Sequence, residues 1–203
     1  ARIAKANVPF ETPGAVERSE RLAAVAAMIY LVFNEGYSAS GGDEPMRAQL
    51  CDEAIRLGRL LLRLFPAEPE IMGLLALMLL QHSRTPARFD AAGEIVLLEQ
   101  QNRSLWKKPM IGEGLALIDK AMRHQRPGPY LVQAAIAALH ARAGRAEDTD
   151  WAEIDLLYAT LLKYGFAKGK YEARPDDGLT LVDSRITNAV RCVPPENKPT
   201  PEE

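Results

Sequence analysis

The chain is poor in the residues that usually announce a chemistry. It has two cysteines in 203 residues, Cys51 and Cys192, too few and too far apart for a disulfide framework. Its three histidines, His82, His124 and His140, each lack a Cys, His or carboxylate at zinc-like spacing, so no metal is expected. Aromatics make up 6% of the residues, which argues against a sandwich or barrel. Neither sign of charge dominates. The 25 basic and 27 acidic residues leave a net charge of −2, which excludes a basic surface gripping nucleic acid through phosphates alone. The longest apolar run, Leu22 to Phe33, is twelve residues, where a membrane span needs about 20. The opening Ala1-Arg-Ile-Ala-Lys has no Met and no apolar core of signal-peptide type. It reads as a chain excised from something longer.

What is abundant is Leu and Ala, in a chain that is 47% apolar and 26% charged. That composition implies a soluble, helical, cytoplasmic domain. Periodicity divides it into six helices. The first runs from about Val16 to Asn34 with Leu22, Val25, Ile29 and Phe33 at helical spacing, and Gly36 is expected to end it. Ala26, Met28 and Val32 make it apolar nearly all round, so a central place is expected for it. A second helix runs to Phe65, with Asp43 as its cap and Pro45 in its first turn. Pro66 and Pro69 mark a short joint to a third, Ile71 to Gln81, which makes the pair an antiparallel hairpin.

Between residues 87 and 98 the period changes, and a Gly-containing turn between two short runs predicts a small β-hairpin near residues 88–98. A fourth helix is expected from Ser104 to Gln125, a fifth from Tyr130 to Ala143, and a sixth, capped by Asp150, to Tyr164. The fold class is therefore all-α: a helical-hairpin, tetratricopeptide-like stack with one inserted hairpin. No strict 34-residue repeat aligns. Residues 1–15 read as an arm, 16–165 as the helical domain, and 166–203 as an irregular segment with room for one short helix around Leu181 to Cys192.

Catalytic patterns fail on context. Gly41-Gly42-Asp43-Glu44 has the letters of a diguanylate cyclase signature, but helices flank it and a Pro follows, so helix capping is the better reading. Gly36-Tyr-Ser38-Ala-Ser40 lacks the last glycine of a nucleophile elbow and follows a helix instead of a strand. Cys51 reads as a small apolar residue, and His140 as a hydrogen-bonded or surface histidine. Leu98-Glu-Gln-Gln-Asn-Arg103-Ser-Leu-Trp106 has two readings. In the structural one, Arg103 and the amides satisfy backbone groups while Trp106 packs. In the functional one, Arg103 and Trp106 anchor a partner.

Several blocks occur in a telling order: Glu17-Arg-x-Glu-Arg-Leu22, Ile29-Tyr-Leu-Val-Phe-Asn-Glu-Gly-Tyr-Ser-Ala-Ser40, Glu53-Ala-Ile-Arg-Leu-Gly-Arg-Leu60, Glu68-Pro-Glu70 with the leucine run to Leu80, Leu97 to Trp106, Gly128-Pro-Tyr130 and Thr149-Asp-Trp151. Together, across residues 1 to 163, they resemble the C-terminal tetratricopeptide-like extension of a group of bacterial extracytoplasmic-function RNA polymerase sigma factors. After Tyr164 the likeness fades. The resemblance implies a non-enzymatic regulatory domain that acts without a cofactor. Its partners would be the sigma regions of its parent protein or core polymerase, with no direct promoter DNA binding and no membrane contact. Tyr37, Arg103 and Trp106 are then the expected contact residues. A helical scaffold for a separate signalling protein or a small ligand is the alternative.

Overall fold

The computed structural model describes residues 14–39, 46–171 and 178–182. Six helices account for most of them: α1 (Ala15–Tyr37), α2 (Ala48–Leu64), α3 (Pro69–Ser83), α4 (Lys108–Met122), α5 (Pro129–Arg142) and α6 (Trp151–Lys163). The all-α expectation holds, and each helix packs against the next along the chain.

The centre is α3. Every residue from Ile71 to Ser83 is buried, because α1, α2, α4 and α5 all pack around it. A helix with Ile, Met, Leu and Ala on every side has no face to offer water, and here none is offered. Close packing needs small residues at the crossings. A Cβ on Gly73 would fall 2.6 Å from the Leu131 backbone nitrogen, so only glycine lets α3 and α5 approach this closely. α5 in turn serves two cores. Leu131, Ala134 and Ala138 face the main one. Val132, Ile136 and Leu139 join Ile154, Tyr158 and Leu161 of α6 in a second.

The expectation that α1 sits centrally is corrected. Phe33, Tyr30 and Ala26 are buried, but Val25, Met28, Leu31 and Val32 are exposed. α1 lies at the end of the stack, where α2 and the rim of α3 cover one side of it. Gly36 is not its terminator either. The helix continues to Tyr37, and Gly36 instead provides a close approach: its carbonyl accepts the Arg47 N–H at 2.7 Å, and an added Cβ would lie 2.7 Å from Cys51 N. α2 accordingly starts at Ala48 with Arg47 in the cap position. Asp43 and Pro45 precede that start and lie outside the described residues.

The inserted hairpin is present in minimal form. Phe89 and Ile95 make one antiparallel bridge, Arg88 O accepts from Val96 N at 2.8 Å, and the Asp90 carboxylate accepts from the Ala92 and Glu94 N–H groups, each at 2.9 Å. α4 begins at Lys108, later than expected, because Asn102 caps a short 3-10 turn over Arg103–Leu105 first. Asp150 caps α6 as anticipated, accepting Glu153 N at 3.0 Å. The tiny antiparallel pair β1 (Ala167–Lys168) and β2 (Thr180–Leu181) was not foreseen. Leu181 belongs to β2, and Val182 after it donates its N–H to Phe166 O at 2.8 Å. Residues 183–192 of the short helix expected around Leu181 to Cys192 lie outside the described residues.

Candidate interaction site

The three residues expected at a contact surface, Tyr37, Arg103 and Trp106, are all buried. The correction has a clear physical reason: Tyr37 and Arg103 are occupied in joining helices, and Trp106 packs in the main core. Tyr37 closes α1, and its hydroxyl accepts from Arg84 Nη2 at 2.6 Å. Arg88 lies over the Tyr37 ring, 3.7 Å from its centroid, and donates to the Tyr37 carbonyl at 2.5 Å. One aromatic residue thus takes two cations from the end of α3 and the turn after it, a cation–π contact with a hydrogen bond on either side. Phe33 stacks on the same ring at 5.6 Å.

Arg103 performs the equivalent task at the other end. Its Nη1 donates to the carbonyls of His140 at 2.7 Å and Ala143 at 3.0 Å, and Nη2 reaches Thr149 Oγ1 at 3.4 Å. These are carbonyls of the last turn of α5, where the helix dipole favours a cation. The guanidinium also sits 5.2 Å from the Trp106 ring centroid. The structural reading of Leu98 to Trp106 is the one the geometry supports.

Burial, and then the neighbouring cations, set the electrostatics of this interior. His140 packs edge-on against Trp151 at 5.4 Å. Its pKa is pushed down to about 3, first by burial and then by Arg84 and Arg103, so it is neutral at physiological pH. Burial also lowers the pKa of Arg88, with Arg84 adding to the effect and Tyr37 opposing it. The Cys51 thiol is pushed up to about 12, chiefly by burial, which makes it an inert packing residue. His82 pairs with Asp52 at 3.1 Å, yet burial holds its pKa below the ordinary value. Among the described residues, no group of three or more His, Cys, Asp or Glu is placed to hold a metal ion.

Sequence reasoning missed Glu70. Its carboxylate accepts the Tyr130 and Leu131 backbone N–H groups at 3.0 and 3.1 Å, capping the start of α5 from a different helix. Burial raises its pKa, against those backbone hydrogen bonds. The available signal was the pairing of Glu68-Pro-Glu70 with Gly128-Pro-Tyr130, two blocks sixty residues apart.

The outward-facing feature is apolar. Val25, Met28, Ile29 and Val32 of α1 face Leu57, Leu60, Leu61 and Leu64 of α2 across an open groove of about 310 Å3. Among the described residues, no polar or charged side chain lines it. Met28 is 65% exposed and Leu64 64%. Exposed apolar side chains grouped in this way mark a binding surface more often than a bare one.

Residues 21–122 match a protein family described as a family of unknown function, DUF6596. The chain belongs to this family. The match runs from Arg21 in α1 to Met122, the last residue of α4, so the DUF6596 segment contains both walls of the groove and the whole of α3. An uncharacterized protein of Rhizobium meliloti, R00370, is 74% identical over 161 residues, which is 79% of this chain and 38% of that protein. A type-5 uracil-DNA glycosylase of Thermus thermophilus is 51% identical over 47 residues, 23% of this chain and 21% of that enzyme. The chain therefore spans well under half the length of either relative. No solved structure matches. Among the described residues of this DUF6596 chain, no helix is long and apolar enough to cross a membrane.

Proposed function

We propose that this domain is the regulatory, protein-contacting part of an RNA polymerase sigma factor and works in the cytoplasm. It acts without catalysis, by packing on the sigma regions or on core polymerase and biasing the balance between blocked and competent states. The observation that carries the reading is a division of labour. The distinctive polar and aromatic residues, Tyr37, Arg84, Arg88 and Arg103, are spent inside on holding helices together, whereas the outward-facing groove is wholly apolar. Such a body suits a protein partner better than a reaction. Two further facts support it. Four of the blocks that resemble the sigma-factor extension supply joints of this fold, through Tyr37, Glu70, Arg103 and Tyr130. The R. meliloti relative also carries much more polypeptide than this chain covers.

The energetic demand is modest. Reversing a mostly blocked state to a mostly active one needs about 5.5 kcal/mol of differential contact, within reach of an interface burying roughly 1,200 Å2 or more. The test is a binding titration of this chain against the separately produced sigma regions of the factor it belongs to. Saturable binding at micromolar concentration or tighter is the expected result. Absence of binding to both the sigma regions and core polymerase would refute the reading and favour a separate signalling partner.

A further inference from the structure

The exposed apolar surface of α1 extends beyond the groove. Leu31, three residues on from Met28, is 63% exposed. Helical stacks normally end in an element whose outer face is polar, because an apolar last face is poorly soluble. The α1–α2 end of this stack lacks such a face, and among the described residues nothing packs on it. It has the form of a surface on which another helix continues the stack.

We propose that the α1–α2 groove is the docking site for an amphipathic helix supplied by the part of the full-length polypeptide that lies outside this chain. The identity of that helix as part of a sigma region rests on the reading above; the contact itself does not. Three observations select this occupant. First, the chain covers 38% of the R. meliloti relative, so that protein has ample further polypeptide to provide a helix. A tethered segment meets the groove at an effective concentration on the order of millimolar, which a free second copy does not reach. Second, the walls run from Val25 to Val32 and from Leu57 to Leu64, about two helical turns each. That matches a helix presenting apolar residues at i, i+3 or i+4, and i+7. Third, the lining itself is apolar on both walls, while charges flank it, Glu17 paired with Arg21 and Glu53 with Arg56. That is an apolar centre with a polar rim, the pattern an amphipathic helix complements.

The experiment uses the full-length R. meliloti relative carrying a photo-crosslinking residue at the position aligned with Leu64, with the position aligned with Asp119, on the exposed side of α4, as control. The expected result is a cross-link from the Leu64 position to a helix of the same molecule outside the aligned stretch, absent from the control. Cross-links between two copies, cross-links confined to this domain, or none at all would overturn the proposal. A second comparison guards against a misfolded variant. Leu64→Lys should shift the melting temperature of this chain alone by no more than about 2 °C. In the full-length protein, the same change should raise hydrogen exchange in the cross-linked helix at least tenfold, and unchanged exchange would overturn the proposal. The two readings fail separately. A full-length protein that gives the cross-link but never binds core polymerase loses the sigma assignment and keeps the docking site. One that binds polymerase but gives no cross-link does the reverse.

Discussion

Helices α1 and α3 look alike in sequence, apolar on nearly every side, yet they meet different fates. α3 is enclosed by four helices and buries every residue from Ile71 to Ser83. α1 buries Ala26, Tyr30 and Phe33 but leaves Met28 and Leu31 in water. The difference teaches that all-round hydrophobicity specifies a buried helix in the assembled protein without saying which chain or segment does the burying. In α3 the cover is in hand; among the described residues, the outer side of α1 has none.

The sharpest way to break the comparison is to cut equivalent side chains from the two helices. Leu74 is fully buried in α3, so Leu74→Ala should cost roughly 2–5 kcal/mol in urea unfolding. A cost below about 1 kcal/mol would mean that α3 is not the packed centre. Next in size is Gly73→Ala. Its new methyl would meet the Leu131 backbone at 2.6 Å, and overpacking of this kind costs about 1–3 kcal/mol. Gly112→Ala, where nothing lies within 4 Å, serves as the control and should be stabilising by roughly 0.5–1 kcal/mol.

The interior around α5 predicts a pH effect. His140 has an ordinary pKa of 6.5 when unfolded and about 3 when folded. Between those values the unfolded chain takes up a proton that the folded chain refuses. Stability should therefore fall as pH drops below 6.5 and stay level above it, with a slope of up to about 1.4 kcal/mol per pH unit. Urea titrations at pH 5 and 7.5 measure it. His140→Phe keeps the ring contact with Trp151 and should flatten the slope, leaving a residue from His82, whose pKa burial also lowers. An unchanged slope would show that His140 is not held neutral inside.

The smallest effect belongs to α1. Leu31→Ala or Met28→Lys should alter the stability of this chain by no more than about 0.5 kcal/mol, since both side chains are mainly exposed. A loss above about 2 kcal/mol from either would show that α1 is covered after all, by a second copy or by residues outside those described.

How much of this was legible in sequence depended on the range of the interaction. The six helices were readable because apolar spacing and Pro or Gly punctuation act within a few residues, and Asp150 capping α6 is equally local. The joints were not. Arg84 and Arg88 follow a helix and look like surface charges, and only the folded chain brings Tyr37 to them across about fifty residues. Glu70 reads as an ordinary acidic first-turn residue of α3, although its partners are the N–H groups that open α5. Tyr37, Arg103 and Trp106 stood out correctly as unusual residues, but what makes them unusual is a structural task inside the fold. The groove was invisible for the opposite reason: its residues look like any core, and only the absence of a covering helix among the described residues distinguishes them.

Recognition of protein through the α1–α2 groove is the central proposal for this domain. The most direct measurement is the titration against the sigma regions, run side by side for the wild-type chain and for Leu64→Lys. The account predicts saturable binding by the wild type and at least a tenfold weaker association for the variant, with both chains equally folded. Equal affinities for the two chains would contradict it, and would move the contact to another face of the molecule.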